Sequence, residues 1–170
     1  MNVIVRTPIA KLAPPVLGAA LAAALGAGCG PAPSTEAVDS GLLYSCATET
    51  RAVPYAPNLE RDSMSGAFKA VLVDSVPGPP IKGSNVWTVK ITDAAGAPQD
   101  GLTVTASPYM PDHRHPTTVK AVVTPANDGT GTYKLDPVYL FMPGFWEVTL
   151  TLLPATGPKD TVVFPICIAG

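Results

Sequence analysis

The chain of 170 residues has little of the chemistry that enzymes and nucleic-acid-binding proteins use. Only 14% of its residues are charged, its formal net charge is −2, and it contains two histidines and three cysteines. It has no basic run of the kind that binds nucleic acid, no Gly-x-Ser-x-Gly elbow and no Gly-x-x-x-x-Gly-Lys phosphate loop. These absences argue against nucleic acid as a partner, and we predict that the protein is not an enzyme.

Helical patterning is also scarce once the N-terminus is set aside. Twenty prolines and fifteen glycines punctuate the chain, and no later segment keeps a helical apolar period for three turns. A dinucleotide-binding βαβ unit is therefore not expected.

The first 28 residues have the build of a secretory signal peptide. Arg6 and Lys11 give a basic start, and the run 12–27 is apolar and rich in small residues. Pro14 and Pro15 interrupt this run, which leaves a stretch that is short for a bilayer span. We predict a cleaved signal over residues 1–28, with a permanent transmembrane anchor as the alternative.

Small residues lead directly into Cys29, as in a bacterial lipobox. Leu25 lies one place earlier than the usual leucine, so a simple exported protein cut near the same place is the alternative. A lipidated Cys29 would hold the protein on a membrane through its N-terminus. Because Gly30 rather than Asp follows the cysteine, resemblance to bacterial lipoproteins favours the outer membrane of the cell envelope, facing the periplasm or the outside.

Residues 29–45 read as a lipid-anchored flexible tether, and residues 46–170 as one folded domain. Loss of the signal would leave nine basic and thirteen acidic residues, a net charge of −4. Cys46 and Cys167 lie near the two ends of the domain, and export favours a disulfide between them. A thiol metal pair is the alternative, although no Cys-x-x-Cys spacing is present.

Several segments of the domain alternate apolar and polar residues with the period of a β-strand. Trp87 and Trp146 begin two of these segments and are expected in the core between two sheets. The strands are expected within the segments 68–73, 87–91, 102–106, 118–123, 130–135, 146–152 and 161–166. Pro165 is expected at an edge or a bulge. We predict an all-β domain, an immunoglobulin-like two-sheet β-sandwich of seven or eight strands.

The two histidines, His113 and His115, lie close in sequence to a methionine. Met110 precedes them, and Met142 follows about thirty residues later in a second Met-Pro pair. Residues two apart in an extended segment point to the same side, so one metal could bind both imidazoles. Imidazole and thioether together suit copper, whereas zinc is less well served by methionine. The alternative is that the methionines fill core gaps and the histidines lie in a surface loop.

Four pieces in order resemble the YtkA-like domain, which is related to the FixH-like proteins. They are Trp87-Thr-Val-Lys-Ile-Thr-Asp93, Gly96-Ala-Pro98 with Gly101 and Val104, Met110-Pro-Asp-His-Arg-His115, and Gly131-Thr-Tyr133 leading to Met142-Pro-Gly-Phe-Trp-Glu-Val148. The resemblance covers roughly residues 66–153. It implies an immunoglobulin-like sandwich in a secreted or membrane-anchored protein, and its FixH-like relatives are linked with copper handling.

Two interpretations follow for the function. In the first, the domain is an envelope-anchored, non-catalytic module that holds copper or passes it to a protein partner. Its ligands would be His113 and His115, with Met110 and Met142 as soft ligands. In the second, it is a structural or protein-interaction domain without a metal. Many relatives carry extra Met or Gly residues around the histidine loop, whereas this chain has Asp112, Arg114 and Pro116. A cation at Arg114 beside a metal is unfavourable unless it points away or pairs with Asp112.

Overall fold

Alternating apolar residues form nine strands in the computed structural model, which describes residues 44–170. A short 3-10 turn, Cys46–Thr48, precedes them. The strands are β1 Leu59–Asp62, β2 Phe68–Val76, β3 Gly83–Asp93, β4 Thr103–Met110, β5 His115–Pro116, β6 Val122–Pro125, β7 Thr132–Leu140, β8 Gly144–Leu153 and β9 Asp160–Ile168. The predicted signal peptide, Cys29 and nearly all of the predicted tether lie outside the described residues.

The strands form two antiparallel sheets. The first has the order β1-β2-β3-β7-β6 and the second has the order β5-β4-β8-β9. The all-β, two-sheet sandwich predicted from the sequence is confirmed. The described residues hold nine strands rather than seven or eight, because β1 and β5 are too short to show a clear alternation.

The core between the sheets is built by the alternation seen in the sequence. Every second residue is fully buried from Asn85 to Ile91 in β3 and from Trp146 to Leu152 in β8, and both tryptophans belong to this set. Trp87 of the first sheet meets Phe164 of the second edge to face, with ring centroids 5.9 Å apart. Trp87 and Trp146 are therefore inter-sheet core residues, as predicted.

One predicted strand is largely wrong. The segment Thr118–Val123 was expected to be a strand, but residues 118–121 have no regular structure and β6 begins at Val122. The chain passes here from β5 in the second sheet to β6 in the first. Thr117 donates its backbone N–H to the carbonyl of Pro108 at 3.0 Å, and the chain must then bend to change sheets. Residues 118–121 alternate like a strand but form the connection between the two sheets, so they pair with neither sheet.

A disulfide links the 3-10 turn at the start of the described residues to the last strand, β9. Cys46 and Cys167 form a disulfide with their Cα atoms 5.7 Å apart, as predicted from the sequence. Nearby, the N–H of Gly170 donates to the carbonyl of Tyr44 at 3.1 Å. Pro165 lies in β9, at the edge of its sheet as expected. Within residues 44–170, no helix has the length and apolar character needed to cross a membrane.

Candidate functional site: a histidine and methionine corner

The two histidines lie at the hairpin that joins β4 to β5. Met110 ends β4 and pairs with His115 in β5, and residues 111–114 form the turn between them. The N–H of His113 donates to the carbonyl of Met110 at 3.2 Å, and Arg114 takes a left-handed φ of 56°. The expectation of one extended segment is wrong, because the proline-containing hairpin places His113 in the turn itself.

The turn nevertheless brings the two imidazole rings together. Their centroids are 5.6 Å apart and their planes are inclined by 50°. A metal bonded to a ring nitrogen at about 2 Å lies roughly 3.2 Å from the ring centroid. Two centroids at the observed separation then correspond to an angle of roughly 120° at one ion. The separation therefore allows both imidazoles to bind a single metal after rotation of the rings.

One ring nitrogen of His115, Nδ1, is buried without a hydrogen-bond partner among the described residues. The ring stacks on Phe141 with centroids 5.3 Å apart, and Phe141 in turn packs edge to face on Trp146 at 5.5 Å. A buried polar atom without a partner costs roughly 1–3 kcal/mol, so a ligand at this nitrogen would remove a penalty.

The second methionine segment lies at the same corner. The methyl group of Met110 contacts Gly144, and His115 stacks on Phe141, so the chain on both sides of Met142 touches the histidine hairpin. The carbonyl of Met142 accepts a hydrogen bond from Trp146 Nε1 at 3.0 Å. We call the residues Met110–His115 together with Phe141–Gly144 the histidine corner.

The four predicted ligands differ in accessibility. His113 is exposed, His115 and Met142 are half-buried, and Met110 is only 1% exposed. The structure brings the histidines together and places both methionine segments against them. Their roles as metal ligands stay predictions.

A network of charges that the sequence did not predict borders the corner. Both oxygens of Asp112 accept hydrogen bonds from Arg51, at 2.7 and 2.8 Å, while the same guanidinium binds Glu49 at 2.7 and 2.9 Å. The hydrogen bonds from Arg51 lower the pKa of Glu49 to about 2 and hold the pKa of Asp112 below its usual value. The partner of Asp112 is therefore Arg51 and not the neighbouring Arg114. No spacing in the sequence links residues 51 and 112.

The charged and imidazole groups do not by themselves complete a metal site. Across residues 44–170, no group of three or more His, Cys, Asp or Glu side chains is placed to hold a metal ion. A site at the histidine corner would thus rely on two imidazoles and on thioether sulfur. That ligand set suits Cu(I).

The fold and this corner define a class of protein, a two-sheet β-sandwich with a candidate ligand site at one end. The model of the YtkA-like family matches residues 65–151, just over half of the chain, and the chain belongs to that family. The match agrees with the resemblance found over residues 66–153. No curated protein and no solved structure matches the chain.

Proposed function

We propose that the protein is a non-catalytic binding module of the bacterial cell envelope that holds copper, or passes it to a partner, at the histidine corner. Membership of the YtkA-like family favours a binding module. The observation that carries the copper proposal is the pair of imidazoles with centroids 5.6 Å apart, one of which has a buried nitrogen without a partner.

Each predicted ligand has a distinct part in the proposed site. His113 is exposed on the turn and is the residue that an incoming ion or partner can reach first. His115 stacks on Phe141, and this contact keeps its ring at the histidine corner before an ion binds. Met142 and Met110 offer soft sulfur, which favours Cu(I), although Met110 must shift its buried side chain to do so.

Transfer would proceed by ligand exchange with a protein partner. Such exchange needs a ligand that the partner can replace, and the exposed His113 meets that need. The half-buried His115 would keep hold of the ion while His113 is exchanged.

The test is a titration of the soluble domain, residues 44–170, with Cu(I) under reducing conditions against a chromophoric Cu(I) chelator. We expect one Cu(I) per chain and, in the double variant His113→Ala/His115→Ala, an affinity lower by about tenfold or more. Equal uptake by both proteins would remove the proposal.

Methionine substitutions separate thioether binding from general effects. Met142→Leu should weaken Cu(I) binding, because leucine keeps the apolar volume but lacks sulfur. Met64 is 79% exposed and lies outside the histidine corner, so Met64→Leu is the matched control. Equal effects of the two substitutions would exclude Met142 as a ligand.

A second candidate function is a structural or protein-interaction domain that binds no metal. It is favoured by Met110, whose burial and contact with Gly144 are those of a core residue. The same titration decides between the two, since this alternative predicts no uptake of Cu(I) by the wild-type domain.

We also propose that the chain is exported, lipidated at Cys29 and anchored through its N-terminus, with the outer membrane as its location. The support is the pattern of residues 1–30. The disulfide agrees with an oxidising compartment.

A further inference from the structure

The hairpin carries three side chains of metal-ligand type within four residues, yet they do not converge. Asp112, His113 and His115 would form the two-imidazole, one-carboxylate set that divalent ions such as Zn²⁺ bind readily. Among the described residues, however, no such group is placed to hold a metal. The carboxylate of Asp112 is turned to Arg51 instead.

The contact between Arg51 and Asp112 is a bidentate one. Nη1 donates to Oδ1 at 2.7 Å and Nη2 donates to Oδ2 at 2.8 Å. Paired charge-assisted hydrogen bonds of this kind are both strong and directional. Asp112 could bind a metal at the corner only by giving up two hydrogen bonds and leaving a cation behind.

Arg51 is itself held in place from several sides. Glu49 accepts hydrogen bonds from its Nε, its Nη2 and its backbone N–H at 2.9, 2.7 and 2.8 Å. The guanidinium also lies over the ring of Phe145, 4.3 Å from the centroid. The disulfide at Cys46 ties the whole segment to β9. A guanidinium fixed in this way keeps Asp112 in one orientation.

We propose that Arg51 is a positioning residue that sets the metal selectivity of the histidine corner by withholding Asp112 from it. The proposal rests on the proposed function, and it adds that the corner discriminates against divalent ions. Without the carboxylate, two imidazoles and thioether sulfur are left, and this soft set favours Cu(I) over Zn²⁺ and Cu²⁺.

The test compares Zn²⁺ and Cu(I) affinities in the soluble domain and its Arg51→Leu variant. Leucine keeps an apolar side chain at this position but cannot hydrogen-bond to Asp112, so the carboxylate is freed. Changes around a ligand shift metal affinity by roughly 10–100-fold. We expect Zn²⁺ binding to tighten by about tenfold or more, and Cu(I) affinity to change much less. In Arg51→Leu/Asp112→Asn, Zn²⁺ affinity should return to the wild-type value, since the freed carboxylate is gone.

Two further variants control for charge and for folding. Lys69 forms an exposed ion pair with Glu60 on the β1–β2 hairpin, so Lys69→Leu removes a cation from a similar pair away from the corner and should leave both affinities unchanged. Arg51→Lys keeps the charge but lacks the guanidinium fork, and should give an intermediate Zn²⁺ affinity. If Arg51→Leu does not fold by circular dichroism, the gain in Arg51→Lys and its loss on adding Asp112→Asn decide the matter.

The outcomes separate this inference from the proposed function. Unchanged Zn²⁺ affinity in Arg51→Leu, or an equal gain with and without Asp112, overturns the role of Arg51. A wild-type domain that takes up no Cu(I), while Arg51→Leu gains Zn²⁺ through Asp112, overturns the copper proposal and leaves the positioning role standing.

Discussion

Gly144 and Met110 show how closely the two segments of the histidine corner are fitted. Gly144 is buried at the start of β8 with a φ of 135°, a backbone conformation that side chains disfavour. A Cβ at this position would collide with the methyl group of Met110. Glycine at this position therefore allows the positive φ at the start of β8 and leaves space for the methyl group of Met110.

Replacing this glycine should destabilise the domain and disturb the corner together. We expect Gly144→Ala to lower the free energy of unfolding by roughly 1–3 kcal/mol, from backbone strain and from the displaced Met110. Denaturant unfolding measures the loss. Gly83 also starts a strand with a positive φ, of 106°, but no atom lies within 4 Å of its added Cβ. Gly83→Ala is thus the control for strain alone, and equal losses would show that the contact with Met110 is unimportant.

Single residues were predictable from the sequence where a local pattern carries them. Trp87 and Trp146 stand in clear alternations, so their places in the core followed. The hairpin that holds the two histidines did not follow from their spacing, which had suggested one extended segment. The pairing of Asp112 with Arg51 did not follow, because it joins residues 61 positions apart that only the folded chain brings together. Arg114 was the nearer cation in sequence, but its left-handed backbone belongs to the turn.

At the scale of elements, strand length decides what the sequence predicts. Long strands such as β3 and β8 carry enough alternating residues to be recognised. Strand β5 has two residues and exists only through its pairing with the end of β4. The segment before β6 alternates like a strand, yet it is the crossing between sheets. Pairing and crossing are tertiary properties, so local patterning does not contain them.

The disulfide links two elements that are far apart in the chain, the 3-10 turn and β9. It closes a loop over a sequence separation of 121 residues, for which the chain-entropy model gives roughly 4–5 kcal/mol. We expect Cys46→Ser/Cys167→Ser to lose stability of this order in denaturant unfolding. Reduction of the wild-type domain with a thiol should reproduce the loss, and an unchanged midpoint in both cases would contradict the expectation.

At the scale of the whole molecule, the sequence predicts a location, a membrane to which the protein is anchored by lipid at Cys29. Cys29→Ser removes the proposed site of lipidation but leaves the domain unchanged. We expect the wild-type protein to incorporate a labelled fatty acid and to fractionate with the membrane, and the variant to incorporate none, because serine lacks the thiol that would be acylated. The mass of the mature wild-type N-terminus should include the added acyl chains. Equal incorporation of the label by both proteins would contradict lipidation at Cys29.

The family match begins at residue 65 and ends at residue 151, whereas Arg51 and both bonded cysteines lie beyond these limits. A fragment of residues 65–151 would contain both histidines, Met110 and Met142. It would lack Arg51, which hydrogen-bonds to Asp112, and it would lack strand β9. Such a fragment would present a freed carboxylate beside the imidazoles. The selectivity proposed for this protein therefore depends on a residue outside the segment that the family model matches.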